Sequence, residues 1–270
     1  MPNSTIGEQF AALWGEYLAA CRAHTQALAA LREKECSILP GEYYVLAINI
    51  DDHAQEIRKA AKDTVGRLVD HAARQFAPAG ARLEIDTAEI HEKFDFGKNP
   101  EQLDLAAVWA HLEATYGGTK GEDEAYRQAA TALVRTFGLE RSPEIKRKAG
   151  FVVLDLRVWP DSFDKKLNNV TKLSYGCVER VMDVYRTLGT FARWAGRDQA
   201  AQDLSAGARR WWDNKAITSR ERIGFGDKGA EVELVTYSTR FEFRISNALA
   251  EQLQVFIGTY AAAMIVREAA

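Results

Sequence analysis

Three absences narrow what this 270-residue chain encodes. Its cysteines are Cys21, Cys36 and Cys177, and none forms a C-x-x-C pair, which excludes a zinc knuckle or a redox dithiol. The five histidines show no H-x-H or H-E-x-x-H spacing, so the sequence predicts no metal site and no cofactor. No stretch of about 18 uncharged apolar residues occurs, so we expect no membrane-spanning helix.

A strong charge of one sign is also lacking, because 35 Lys and Arg face 38 Asp and Glu, for a net charge of −3. A whole-surface attraction to nucleic acid or to an anionic membrane is therefore not expected, whereas a local basic patch is compatible with this balance. The first residues do not read as a signal peptide, and three scattered cysteines fit free thiols in a reducing compartment. We therefore expect a cytoplasmic protein.

Familiar catalytic patterns are missing as well, since no G-x-S-x-G elbow marks a serine nucleophile. Gly224, Gly226 and Gly229 spell G-x-G-x-x-G, but the strand-forming run AEVELVTY follows them, whereas a dinucleotide site needs a helix there. A kinase glycine loop would need V-A-I-K and H-R-D sequences downstream, and neither is present. These glycines predict a turn between strands, and we expect a binding protein rather than an enzyme.

One catalytic alternative stays open, a nuclease that depends on Mg²⁺. Such a site needs carboxylates to hold the ion and a lysine near the attacking water. The candidates are Asp155, Asp161, Asp164 and Lys166, of which the last three follow the order P-D…D-x-K. The hypothesis requires all four side chains to converge. Asp161 and Asp164 stand close together in the chain, which leaves no room for the hairpin that normally separates such ligands.

The periodicity of apolar residues predicts a helix-rich α+β fold with a small antiparallel sheet built from hairpins. Apolar residues recur at three- and four-residue steps from 5 to 34, which indicates a long N-terminal helix. The run FVVLDLRVW at 151–159 is typical of a strand. Further helices are expected near 51–76, 100–116, 122–137, 174–194, 198–212 and from Ser246 onward, and further strands at 82–86, 222–225, 232–237 and 240–245.

The polar and basic stretch ERSPEIKRK at 140–148 predicts an exposed loop or linker. If the chain consists of two domains, this stretch is the expected boundary between them. Residues 1–140 form a predicted helical N-terminal region, and residues 150–270 form an α+β region with the strands and a C-terminal helix. A chain of this length suits either one large domain or two small ones, so both organisations stay open.

Arginine and tryptophan alternate in places, and this pattern carries the main binding signal. Cationic side chains neutralise phosphates, and exposed aromatic rings stack on unpaired bases. The same residue types are enriched at protein–protein contacts, and such tryptophans also belong to hydrophobic cores, so three interpretations stay open. The candidate residues for nucleic-acid or partner binding are Arg193, Trp194, Arg197, Arg209, Arg210, Trp211 and Trp212, with Arg141, Lys146, Arg147 and Lys148 as a second group.

The order of elements from about Val152 onward resembles a bacterial family, the DUF4942 domain. A strand leads to the charged segment DSFDKKL, then to a long helix, to a strand pair that ends in an aromatic strand, and to a final helix. The aromatic strand is YSTRFEFRI at 237–245, without the Asn-Gly turn and the histidine of the family's F-K-N-G-N-x-H-x-x-F. The family occurs alone or appended to DNA adenine-type methyltransferases in phage and plasmid genes. The resemblance implies a bacterial protein that acts near DNA or DNA-modifying machinery.

We therefore expect a non-enzymatic accessory protein in DNA transactions of a bacterial phage or plasmid, with DNA or a DNA-processing protein as its partner. The alternative from another class is a protein-interaction or assembly factor, such as a homodimer or an anti-defence or regulatory partner. Its interface would come from the N-terminal and C-terminal helices. The Mg²⁺-dependent nuclease is the third hypothesis.

Overall fold

A computed structural model of the chain describes residues 5–38, 50–140, 146–161, 171–213 and 216–266. These residues form the expected α+β fold, with a long N-terminal helix and a five-stranded antiparallel sheet. Their contacts group them into two compact units, Met1–Phe76 with Ile85–Gly118, and Ala77–Glu84 with Thr119–Ala270. We call these the helical unit and the sheet unit. Each has a hydrophobic core of its own.

The helical unit is built from amphipathic helices that turn their apolar sides toward a shared core. Its members are α1 (Ile6–Ile38), α2 (Ile50–Phe76), α3 (Thr87–Phe94) and α4 (Leu105–Tyr116), with a 3₁₀ turn at Pro100–Gln102 before α4. The backbones of α1 and α4 approach closely at Gly7, where a Cβ would lie 2.6 Å from the Cβ of Trp109. The core includes Trp14, Leu18, Val65, Leu68, Ile90, Leu105, Val108 and Leu112.

The long helix α1 buries side chains along its first half. Its buried residues are Gly7, Trp14, Leu18 and Cys21. The apolar spacing predicted a face through Leu13 and Tyr17, which are exposed, so the face was wrong by one position although the helix itself is present. Beyond Cys21 none of its side chains is fully buried, and Ile38 at its end is 75% exposed. The second half of α1 therefore presents apolar side chains on its surface.

The strand expected at 82–86 is not formed, and this expectation was wrong. The backbone N–H of Glu84 donates to the side chain of Gln128, so the segment is held by a side chain rather than by a neighbouring strand. Asp86 then begins α3, because its carboxylate accepts the backbone N–H of Ala88 at 2.8 Å. An N-cap of this kind satisfies a backbone donor that the first turn leaves unpaired.

The sheet unit contains every strand of the described residues, in the spatial order β1-β2-β5-β4-β3 with all neighbours antiparallel. The strands β3, β4 and β5 follow one another along the chain, whereas β2 reaches β5 across a long sequence separation. The strands are β1 (Lys146–Lys148), β2 (Phe151–Arg157), β3 (Arg222–Phe225), β4 (Val232–Tyr237) and β5 (Arg240–Ser246), and the helices are α5 (Lys120–Phe137), α6 (Tyr175–Trp194), α7 (Asp198–Trp212), α8 (Asn247–Tyr260) and α9 (Ala262–Val266).

One face of the sheet packs against the helices. Successive side chains of a strand point to opposite faces, so Phe241, Phe243 and Ile245 enter the core together. At its centre the indole N–H of Trp211 donates to the hydroxyl of Tyr185 at 3.0 Å. Burial raises the pKa of Tyr185, so this hydroxyl stays protonated. Among the described helices, none has the length and apolar character needed to cross a membrane.

Candidate functional site

The face of the sheet opposite the core carries charged side chains on every strand. We call this set the charged face. Alternation and register place on it Lys146 and Lys148 of β1, Asp155 and Arg157 of β2, Arg222 of β3, Glu233 of β4, and Arg240, Glu242 and Arg244 of β5. Six of these side chains are basic and three are acidic, so the charged face is net positive on a chain whose net charge is −3.

Ion pairs run across the charged face from strand to strand, and each acidic side chain is shared between several basic ones. Among the shortest, Arg244 donates to Glu242 at 2.8 Å and to Glu233 at 3.0 Å. The remaining contacts are Lys146–Asp155 at 2.7 Å, Arg240–Asp155 at 3.7 Å, Arg240–Glu242 at 2.8 Å, Lys148–Glu242 at 4.0 Å and Arg222–Glu233 at 3.6 Å. The network spans all five strands, and its cations outnumber its anions.

The middle of this network is withdrawn from water. The side chains of Arg244 and Glu242 are 8% and 6% exposed. Burial alone would lower the pKa of Arg244, but its hydrogen bonds to Glu242 and Glu233 outweigh burial and raise the pKa above its ordinary value. A buried charge that loses its partner is strongly destabilising, so Arg244 holds Glu242 and Glu233 in place. These two carboxylates in turn position Arg240 and Arg222.

One end of the charged face brings two arginines and a tyrosine side by side. Arg157 of β2 lies directly opposite Arg240 of β5, and Arg240 lies opposite Tyr237 of β4. The Arg240 guanidinium stands 5.0 Å from the centre of the Tyr237 ring. Like charges directly opposite one another on paired strands are destabilising. Arg157 is exposed and has no acidic partner within the described part of the chain, so this end carries uncompensated positive charge.

Trp159 stands beside this row with a fixed backbone and an exposed ring. Its N–H donates to the Sγ of Cys177 at 3.1 Å, and its carbonyl oxygen accepts the N–H of Ser174 at 3.0 Å. The ring is 57% exposed, and the Arg180 guanidinium lies 5.9 Å from its centre. An exposed indole held in this way is preorganised for stacking, because little of its freedom is lost on binding.

A concavity of about 600 Å³ at this end of the charged face is lined by Arg157, Val158, Trp159, Tyr237, Thr239 and Arg240. This volume falls within the range of about 300–1,000 Å³ that takes small organic ligands. We call the set Arg157, Trp159, Arg180, Tyr237 and Arg240 the Trp159 site. It combines cations with aromatic rings and includes none of the tryptophans named as binding candidates from the sequence.

The first group of sequence candidates does not form one stacking surface. Trp211 is buried in the core, and Trp194 packs against Phe191, Phe256 and Tyr260. Trp212 differs from them, because its side chain is 63% exposed.

The arginines of this group have varied surroundings. Arg210 pairs with Glu221 at 2.6 Å and stands 5.5 Å from the centre of the Trp211 ring, and Arg197 pairs with Glu231 at 3.4 Å. Arg193 is half-buried, close to the position that a Cβ on Gly80 would take, and Arg209 is exposed. Their part in binding stays a prediction.

The second group is divided by the sheet. Lys146 and Lys148 belong to the charged face, whereas Arg147 between them points to the opposite side. Arg141 lies outside the described residues. Part of the stretch expected to be a loop therefore forms β1, which places its two lysines next to the acidic side chains of β2 and β5.

Only part of the nuclease hypothesis falls on described residues. Asp155 is engaged by Lys146 and Arg240 in the charged face, an arrangement typical of an ion-pair network. The backbone N–H of Asp161 donates to the carbonyl of Lys172 at 2.7 Å, and Asp164 and Lys166 lie outside the described residues. Within the described ranges, no three His, Cys, Asp or Glu side chains are grouped as metal ligands would be.

The glycine motif forms a turn between strands, as predicted. The backbones of Gly224 and Gly229 lie in close contact, and Gly226 has a φ of 88°. The Gly226 N–H donates to the carboxylate of Asp203 at 2.9 Å, so this backbone donor is already occupied by a negative charge. The arrangement opposes a phosphate at this turn.

Sequence reasoning missed the Trp159 site because its parts are distant in the chain. The signal was present in R-V-W, where alternation puts Arg157 and Trp159 on one side, and in the Tyr237–Arg240 hairpin. The two meet only through the pairing of β2 with β5, which periodicity alone does not predict.

The expected link to DNA transactions stays a prediction. The resemblance of the C-terminal half to the DUF4942 domain likewise stays a prediction. Comparisons of the chain with protein-family models, with curated proteins and with solved structures found no match.

Proposed function

We propose that this protein is a non-enzymatic nucleic-acid-binding protein, accessory to DNA transactions, and that the charged face is its contact surface. The observation that carries the proposal is the excess of basic over acidic side chains on this one face of an acidic chain. Phosphate contacts by lysine and arginine dominate nucleic-acid affinity. The proposal therefore needs a local positive surface, and it does not need a basic protein.

The ion pairs of the charged face support this role by holding cations in place. Asp155, Glu233 and Glu242 each contact at least two cations, so their charge orders the arginines without cancelling all of them. Among the described residues, no acidic side chain pairs with Arg157 at one end of the face. A phosphate backbone that crosses the sheet would meet, one after another, the cations of β1, β2, β5 and β3.

The biological setting belongs to the same proposal. The resemblance to the DUF4942 domain supports a bacterial phage or plasmid protein in the cytoplasm, active near DNA-modifying machinery. The charged face would then hold DNA while a partner enzyme carries out chemistry.

Filter binding of radiolabelled DNA at about 50 and 200 mM salt tests the proposal. Phosphate contacts release counterions, so affinity should fall steeply with salt, with a slope that counts the contacts. Single-stranded and duplex DNA are tested in parallel, and absence of binding to both at about 50 mM salt would overturn the proposal.

Two variants locate the contact surface. Arg157→Ala and Lys148→Ala should each weaken binding and reduce the salt slope by about 1, as expected when one phosphate contact is lost. The matched control is Arg186→Ala, an exposed arginine on α6 that lies outside the charged face and is not among the binding candidates. Equal losses in all three variants would contradict the charged face as the contact surface.

A second candidate function, self-assembly, is favoured by the exposed apolar side chains along α1. Leu13, Leu31 and Ile38 are all exposed large apolar residues on this helix. A second copy of the chain, packed along α1, would cover them in the manner of a helix-in-groove contact. Sedimentation of the protein and of Leu31→Glu tests this, because a monomer at all concentrations would exclude it.

A further inference from the structure

We infer that the Trp159 site takes an unpaired base of single-stranded nucleic acid, with Trp159 and Tyr237 as stacking surfaces and Arg157 and Arg240 for the adjoining phosphates. The inference rests on the proposed function and adds the class of nucleic acid that is preferred. It starts from the two aromatic rings and the two arginines that line one concavity.

The aromatic rings are the first step of the argument. Phosphate binding needs no aromatic side chain, yet Trp159 is exposed while its backbone is tied down on both sides by Cys177 and Ser174. Burial of an indole in the core is favourable because it removes apolar surface from water. The exposed indole of Trp159 is therefore suited to a ligand with a flat apolar face. Nucleobases provide such a face.

The cations are the second step. Arg180 stands beside the Trp159 ring and Arg240 beside the Tyr237 ring, so positive charge accompanies both rings. Arg157 adds a further cation at the same concavity, and no acidic side chain in the described ranges pairs with it. Stacking rings flanked by cations match a strand of alternating bases and phosphates.

Strand type is the third step. In a duplex the faces of the bases are covered by their neighbours and the edges are paired, so a stacking pocket meets no free ring. The concavity is also of the size that holds a small organic group rather than a double helix. The Trp159 site should therefore favour single strands, whereas the rest of the charged face contacts phosphates of either form.

The test measures filter binding at about 50 mM salt for an oligonucleotide, its duplex, and the same strand with abasic sites, which keeps the phosphates and removes the bases. Wild-type protein should bind the strand more tightly than the duplex or the abasic strand. Trp159→Ala should weaken binding of the strand about tenfold and leave the abasic strand nearly unchanged.

Controls separate stacking from folding and from charge. Trp159→Phe keeps a ring and should retain most of the affinity, and Tyr237→Leu should resemble Trp159→Ala. Trp212→Ala is the matched control, because it removes another exposed tryptophan that lies outside the Trp159 site. The unfolding midpoint of each variant is measured beside its affinity.

Equal affinity for strand and duplex, or equal losses of normal and abasic strands in Trp159→Ala, would overturn the inference and leave the proposed function standing. A loss in Trp212→Ala without a loss in Trp159→Ala would also overturn it, in favour of the tryptophans of α7. Failure to bind any nucleic acid would remove the proposed function itself.

Discussion

At the scale of single residues, Gly224 is fixed by the backbone that faces it. A Cβ at this position would lie 2.6 Å from the carbonyl oxygen of Gly229 and 2.8 Å from its Cα. Gly224→Ala should therefore lower the free energy of unfolding by about 1–3 kcal/mol, because main-chain atoms must move to admit the methyl group. Urea titration followed by circular dichroism measures the change.

Gly258 supplies the matched control for this substitution. It lies inside α8, and nothing stands within 4 Å of the position that its Cβ would take. Gly258→Ala should raise the free energy of unfolding by about 0.5–1 kcal/mol, since glycine costs a helix more backbone entropy than alanine. A loss of stability in this variant as well would show that the close contact with the Gly229 backbone is not the cause of the loss in Gly224→Ala.

We expect His111 to make the helical unit sensitive to acid. Burial lowers the pKa of its imidazole, the nearby Lys93 lowers it further, and Glu89 opposes them weakly. The neutral ring accepts a hydrogen bond from Lys93 Nζ at 3.0 Å through Nδ1. A lowered folded-state pKa means that the contribution to stability is present above the unfolded pKa of about 6.5 and is lost as the pH falls toward the folded value.

The urea concentration at the unfolding midpoint, measured at pH 5 and pH 8, tests the direction of this pH dependence. The wild-type protein should be less stable at pH 5, and His111→Gln should lose less stability over the same interval. Part of the loss should persist in the variant, because burial and Lys62 also lower the pKa of His91. An equal loss with and without His111 would contradict the assignment.

At the scale of elements, the hairpin of β1 and β2 turns through an alanine in an unfavourable conformation. Ala149 and Gly150 have φ values of 50° and 82°, as a two-residue turn with both central residues at positive φ requires. A left-handed backbone costs an ordinary residue about 1–2 kcal/mol, whereas asparagine tolerates it better. Ala149→Asn should therefore stabilise the sheet unit by about 1 kcal/mol.

Ala149→Val supplies the opposite change at the same position. A β-branched side chain disfavours positive φ more strongly, so this variant should lower the denaturation midpoint that Ala149→Asn raises. The same order of effects on the affinity for DNA would follow under the proposed function, because β1 carries Lys146 and Lys148 of the charged face.

The elements that the sequence predicted well are those with a strong period of their own. Helices such as α5 and α6 have wide apolar stripes and glycine near their ends, so periodicity and end signals locate them. The short strand β1 has the sequence K-R-K with every residue exposed, so it lacks the alternation of apolar and polar residues that predicts a strand. It is extended because β2 pairs with it, and the Trp159 site likewise depends on a distant pairing.

At the scale of the whole molecule, the two hydrophobic cores should respond separately to substitution. Leu112 is fully buried in the core of the helical unit and Leu234 in that of the sheet unit. A leucine-to-alanine change in a core costs about 2–5 kcal/mol. In a calorimetric scan, Leu112→Ala and Leu234→Ala should each lower the midpoint temperature of a different unfolding transition, because chains with two cores often depart from two-state unfolding. A single transition shifted equally by both variants would contradict this.

The uneven exposure of the tryptophans also gives the protein an optical probe of its own electrostatic field. Trp14, Trp109 and Trp211 are buried, whereas Trp159 and Trp212 are open to solvent, so a diffusing quencher should reach mainly the latter two. Because the arginines beside Trp159 attract anions and repel cations, iodide should quench its emission more efficiently than caesium does. The difference between the two ions then reports the sign of the local potential without any ligand.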